Sequence, residues 1–106
     1  MELKVIHAEA IQAAQTATQQ ALANSRGFDC CGFAWVTVYE KGTSKLVREL
    51  KTLGFSKAYG GGYQLWNPSG SHTQEITAKE KGAEAYADVF RKYFPDMKIY
   101  AGSRMD

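Results

Sequence analysis

The clearest alternation in the chain runs from Phe33 to Tyr39. Phe33, Trp35, Thr37 and Tyr39 point one way and Ala34, Val36 and Val38 the other. Both sets are largely apolar, which predicts a central strand covered on two sides. A helical period dominates Ala8–Ala23, a stretch rich in Ala and Gln with no Pro or Gly. Ile11, Ala14, Thr18 and Leu22 form one stripe, and Ala10, Ala13, Ala17 and Ala21 lie beside it. Residues this small allow close packing against a sheet or another helix. Leu3–Ile6 fits either a short strand or the first turn of that helix. Asn24-Ser25-Arg26-Gly27 is expected to end it, with glycine as the stop.

Lys41-Gly42 turns the chain after the long strand, and Thr43 or Ser44 caps a helix over Lys45–Leu53. The buried side of that helix is Leu46, Val47, Leu50 and Leu53, and Gly54-Phe55 fits a Schellman stop. Phe55–Tyr59 and Tyr63–Trp66 read as two strands joined across Gly60-Gly61-Gly62. Asn67-Pro68-Ser69-Gly70 is a β-turn pattern. Thr77-Ala78-Lys79-Glu80 reads as a capping box, so a helix should run from about Ala78 to Phe94. It would bury Ala83, Tyr86, Val89, Phe90 and Tyr93, and Pro95 would stop it. Lys98–Tyr100 is a last short strand, followed by the tail Ala101–Asp106.

After the first helix the order is β-α-β-β-α-β, so the expected fold is α+β, a ferredoxin-like antiparallel sheet with an additional N-terminal helix. The two strands Phe33–Tyr39 and Tyr63–Trp66 should lie side by side in the middle. The chain of 106 residues suits a single domain, 1–106, with residues 1–27 a helical extension packed on 28–106. The first helix is free to cover the other face of the sheet or to pack at an edge: in the first case Phe33 and Trp35 are core beneath it, and in the second Trp35 and Tyr39, with Tyr63 or Trp66, form an open aromatic platform.

Composition narrows the classes little: 44% apolar, 23% charged, formal net charge +2. In residues 45–57, Lys45, Arg48, Lys51 and Lys57 face only Glu49, while the flanks are nearly balanced. The basic excess therefore adjoins the stretch Lys57–Gly70, either as a solvated helix face or as an anion-binding patch. No apolar run is long enough to cross a membrane and no signal-peptide pattern opens the chain. The expectation is a cytoplasmic protein with no membrane partner. The only cysteines, Cys30 and Cys31, are neighbours, which excludes a disulfide framework within one chain. They read as small, half-buried residues at the start of a strand. No spacing of His and Cys suggests a metal site, and no cofactor motif is present.

Lys57–Gly70 holds three consecutive glycines, two tyrosines, a tryptophan and a polar turn in fourteen residues. Glycines admit positive φ and close approach, and aromatics beside them offer stacking surfaces. The run is neither Gly-x-Gly-x-x-Gly opening a helix nor a Walker loop. It is a plain turn or the wall of a small anion pocket.

Several pieces of the chain resemble a family of small uncharacterised proteins of tailed bacteriophages and prophages. They are Gly32-Phe33-Ala34-Trp35-Val36, Gly54-Phe55 with Lys57-Ala58-Tyr59, Gln64-Leu65-Trp66-Asn67-Pro68-Ser69-Gly70, Gly82-Ala83 with Tyr86-Ala87, and Tyr100–Asp106. The resemblance covers roughly residues 28 to 106. It implies a phage origin and a role in the cytoplasm of an infected bacterium. The family carries no established activity, so no catalytic residue transfers.

No nucleophile elbow or Cys-His motif is present, and the chain reads as a binding protein rather than an enzyme, with no catalytic residue assigned. The candidate ligand-binding set is Lys57, Tyr59, Tyr63, Gln64, Trp66, Asn67 and Ser69, with Arg104 as an anion contact. The expected ligand is a nucleotide or single-stranded nucleic acid, stacked on aromatics of the central strands or of the loop. The RNP1 pattern of RNA-recognition modules is absent. The alternative is a binder or inhibitor of a host bacterial protein, with Trp66, Tyr59 and Tyr63 as interface anchors. The oligomeric state is left open.

Overall fold

The computed structural model describes residues 2–25 and 29–106. The chain order is α1 (Leu3–Ala23), β1 (Gly32–Val38), α2 (Lys45–Thr52), β2 (Ser56–Lys57), β3 (Tyr63–Trp66), α3 (Ile76–Tyr93) and β4 (Ile99–Met105). Among the described residues the architecture is α+β: three helices, the first of them N-terminal, and one antiparallel sheet in the order β2-β3-β1-β4. β1 and β3 are the neighbours in the middle, with Trp35 opposite Trp66 and Val38 opposite Tyr63.

Local signals explain most boundaries. The Ser44 side chain accepts a hydrogen bond from the Val47 N–H at 3.1 Å, capping α2. α2 closes as its sequence predicts: Gly54 has φ +106°, the Phe55 N–H donates to the Leu50 carbonyl and the Gly54 N–H to the Lys51 carbonyl. Leu3–Ile6 belongs to α1. The expected Gly27 stop lies outside the described residues, and the helix has Asn24 as its C-cap.

Three elements depart from expectation. α3 begins at Ile76, not Ala78, and the capping box does not form. The orphan N–H of Thr77 instead donates to the Asp29 carboxylate at 2.8 Å. That distant bond holds the Asp29 carboxyl below its ordinary range. β2 keeps only Ser56–Lys57 of the predicted Phe55–Tyr59, because the turn already closes through Ala58 N–H to Gly62 carbonyl at 2.9 Å. The third is the tail. Residues 99–105 form a seven-residue strand whose whole length pairs with β1, from Val38↔Ile99 to Gly32↔Met105.

The core lies on one side of the sheet. Ala34, Val36 and Val38 of β1 and Ile99 of β4 meet Val47 and Leu50 of α2 and Ala83, Tyr86, Ala87 and Phe90 of α3. α1 joins this side too. Its buried residues Ile6, Ala10, Ala14 and Thr18 run along α3. Thr18 Oγ1 donates to the Ala78 carbonyl at 2.8 Å, which satisfies a buried hydroxyl. Gly82 makes the approach possible: a Cβ there would sit 2.4 Å from Thr18 Oγ1 and 3.3 Å from the Ala14 carbonyl oxygen. The placement in which α1 covers Phe33 and Trp35 is therefore overturned. α1 spends its apolar stripe on α3, and β1 is covered on one side only.

Gly82→Ala should destabilise the fold. A methyl group gains about 1 kcal/mol of helix propensity but overpacks a contact that costs about 1–3 kcal/mol. Urea denaturation should show a net loss, and Thr18→Ala should recover part of it, because the clashing oxygen is gone. His7 gives a second test. Its Nδ1 lies 2.6 Å from the buried Tyr86 hydroxyl, and burial lowers its pKa below 6.5. The unfolded chain then binds the proton first. Stability present at neutral pH should fall from about pH 6.5 downward, until folded His7 itself protonates. His7→Gln should remove that part of the pH dependence in melting curves.

Candidate functional site: the uncovered sheet face

Alternation along β1 turns Phe33, Trp35 and Thr37 away from the helices, and register adds Gln64 and Trp66 from β3 and Tyr100, Gly102 and Arg104 from β4. Tyr39 extends the row, its N–H bonded to the Lys98 carbonyl at 2.9 Å. Among the described residues no helix lies on this face. Phe33 is 37% exposed, Tyr39 and Trp66 49% each, and Tyr100 52%, unusual values for large aromatics in a sheet.

The rings are organised. Trp35 and Trp66 centroids are 4.9 Å apart, and Phe33 meets Trp66 edge-on at 6.1 Å. The Trp35 indole lies across the Gly102 backbone, where a Cβ would come within 2.7 Å of Nε1. Gly102 is thus the seat of Trp35. At the other end Tyr39 and Tyr100 pair at 6.0 Å. Cations sit over these rings: Lys79 Nζ 5.4 Å and Arg104 Cζ 5.9 Å from the Phe33 ring, and Arg91 Cζ 6.0 Å from Tyr100. Lys79 is held there by donating to the Gly32 carbonyl at 2.9 Å. Arg91 is held by the Ile99 carbonyl at 2.7 Å and by Asp88. Among the described residues Arg104 and Lys79 take part in no ion pair.

The eight candidate residues from the sequence separate. Gln64, Trp66 and Arg104 lie on the open face. Tyr63 is buried on the helix side, opposite Val38, with Lys51 over its ring at 5.5 Å. Lys57 pairs with Tyr63 and shares its side. Asn67 and Ser69 build a turn: Asn67 has φ +46°, its Nδ2 donates to the Ser71 carbonyl, and Ser69 is buried. Tyr59 stands fully exposed at the hairpin tip. The three glycines serve the hairpin. Gly61 and Gly62 have φ +105° and +76°, and a Cβ on Gly62 would meet Thr37 and the Val38 carbonyl within 3.0 Å. Nor do Lys45, Arg48 and Lys51 line the face, since their helix packs Val47 and Leu50 into the core on the other side.

The sequence reading held Trp35 and Tyr39 as a possible stacking platform beside the core placement of Phe33 and Trp35; it did not single out Phe33 or Tyr100 as surface groups, nor Lys79 and Arg91 as their cations. The signal present was the doubly apolar alternation of β1, which fits a covered strand and an aromatic surface equally well. Cys30 and Cys31 are exposed, not half-buried. Among the described residues no group of three His, Cys, Asp or Glu side chains converges as a metal site, and no helix is long and apolar enough to cross a membrane. Clefts lie around α1 and beside Leu46 and Phe94, and none of the aromatic rings of the sheet face lines them. No protein-family model, no curated protein and no solved structure matches the chain.

Gly102→Ala should push the Trp35 indole from its seat at a cost of about 1–3 kcal/mol. The near-ultraviolet circular dichroism of the Trp35–Trp66 pair should weaken with it. An unchanged spectrum and melting point would mean that the indole does not depend on this glycine.

Proposed function

We propose that the protein binds single-stranded nucleic acid across the uncovered face of its sheet, without catalysing a reaction. The observation that carries this reading is the row of half-exposed aromatics with cations seated over them. Bases of any sequence stack on such rings, each worth about 1–3 kcal/mol, and cations beside them neutralise phosphates. The face is flat and the clefts lie elsewhere, which favours stacked bases over an engulfed mononucleotide. We also read the strand order as ferredoxin-like, with α1 as an addition. In nucleic-acid modules of that topology, aromatics of the two central strands carry the stacking. Here those strands contribute Phe33, Trp35 and Trp66. The site moves accordingly from the glycine loop to the sheet.

A second reading is a protein partner in an infected bacterium. It rests on the resemblance to phage proteins and on Tyr59, which projects from the hairpin tip with no neighbour to cover it.

The test is fluorescence anisotropy with labelled single-stranded oligonucleotides at several salt concentrations. Log affinity should fall linearly with log salt, with a slope of about −2 to −3 for three or four engaged cations. Trp66→Ala should weaken binding about ten- to a hundredfold, as loss of one stacked base requires. Arg104→Ala should reduce the slope by about 0.7. Tyr59→Ala and Lys57→Ala should change neither. Full affinity in Trp66→Ala would sink the nucleic-acid reading. So would a homodimer that Trp66→Ala dissolves, because a second copy would then occupy the face.

A further inference from the structure

We infer that the platform has two separate stacking stations and that its ligand must reach both, so that the shortest strand bound with full affinity is about three to four nucleotides long. This rests on the nucleic-acid reading above.

The aromatic groups fall into two clusters with their own cations. The first is Phe33, Trp35 and Trp66, with Lys79 and Arg104 over Phe33. The second is Tyr39 with Tyr100, with Arg91 over Tyr100. Register fixes how far apart they lie. Trp66 pairs with Trp35 and Tyr100 with Thr37, so the two anchors stand two strands and two residues apart. With strands about 4.8 Å apart and about 3.3 Å per residue, that places their backbones about 12 Å from each other. Successive bases in a stacked strand are separated by only about 3.4 Å. Bases held on Trp66 and on Tyr100 therefore cannot be stacked neighbours. At least one nucleotide must cross the ground between them.

That ground suits a crossing and, apart from the Trp35 indole over Gly102, offers no ring. Thr37 is 5% exposed and forms a low floor. Gly102 has no side chain, and the indole of Trp35 already lies on it. Gln64, opposite Thr37, is half-buried and carries the one amide at the centre of the face. Its carbonyl and NH2 can pair with the edge of an unstacked base. Cations occur at both ends and not in the middle, which matches phosphates flanking two anchored bases.

The experiment is a length series, di-, tetra- and octanucleotides of one base, titrated against the wild-type protein and against Tyr100→Thr, Tyr100→Phe and Trp66→Ala. Thermal melting confirms that each variant is folded. The tetranucleotide should bind at least tenfold tighter than the dinucleotide, and the octanucleotide little tighter than the tetranucleotide. Tyr100→Thr should cancel the gain from di- to tetranucleotide. Tyr100→Phe, which keeps the ring, should retain the gain. If Tyr100→Thr leaves the length dependence intact while a Trp66 substitution weakens all lengths, the platform stands with a single station and the bipartite inference is wrong. If no oligonucleotide binds the wild type at low salt, the underlying reading fails along with it.

Discussion

The close crossing of α1 and α3 at Gly82 decides which surface this protein presents. α1 carries a single apolar stripe, Ile6, Ala10, Ala14 and Thr18, and all four residues are buried along α3. The crossing is tight enough that the Thr18 hydroxyl reaches the Ala78 carbonyl and the Ala14 backbone lies over a glycine. Any side chain at position 82 would hold the helices apart and loosen the column of Tyr86, Phe90 and Ile6 beneath. At the surface Glu9 adds a polar latch, accepting from both Lys92 and Tyr93. With its stripe engaged in this way, α1 has no second face with which to shield the sheet.

The consequence is an aromatic surface that is stable without a cover. Each ring leans on another ring, a glycine or a cation, so that roughly half of its area is out of water while the rest is displayed. Indole and phenol groups keep polar atoms at the rim. Arg104 and Lys79 lie across Phe33, the most apolar ring of the set. A purely aliphatic face of the same size would be an aggregation hazard. This one displays flat aromatic rings with cations seated at its two ends.

Much of the fold is legible in the residues, because local chemistry decides it. Ser44, Gly54-Phe55 and the glycine run each set a boundary by short-range bonds. The central pairing of Phe33–Val38 with Tyr63–Trp66 follows from alternation. What could not be read is non-local. Asp29 caps α3 from nearly fifty residues away in sequence, displacing the local capping box at Thr77. Ala101–Met105 contains Ala, Gly and Ser, poor strand formers, and becomes a strand because β1 offers a free edge along its whole length. The site was obscured for a related reason. Aromatics at alternate positions in β1 signal burial, and only the choice of α1 to pack on α3 makes them a surface. Trp66, Gln64 and Arg104 were recognisable; Tyr63 and Ser69 look like them in sequence but fall on the other side of the pleat or inside a turn.

The pairing of β1 with β4 also orders the events of folding. β2 and β3 are joined by a tight hairpin and can form from local contacts. β4, by contrast, meets β1 only after two helices and that hairpin have been laid down between them, so closure of the sheet is the long-range step. Tyr100, Gly102 and Arg104 all arrive with it. A chain that has collapsed but not docked this strand has Trp66 and Phe33 in place, without the seat for Trp35 and without the second aromatic pair. β4 is an edge strand and β1 is central, so local opening would release the late-arriving half of the surface first. Completion of the aromatic face is therefore coupled to completion of the sheet, and partially folded chains lack the surface that the native state displays.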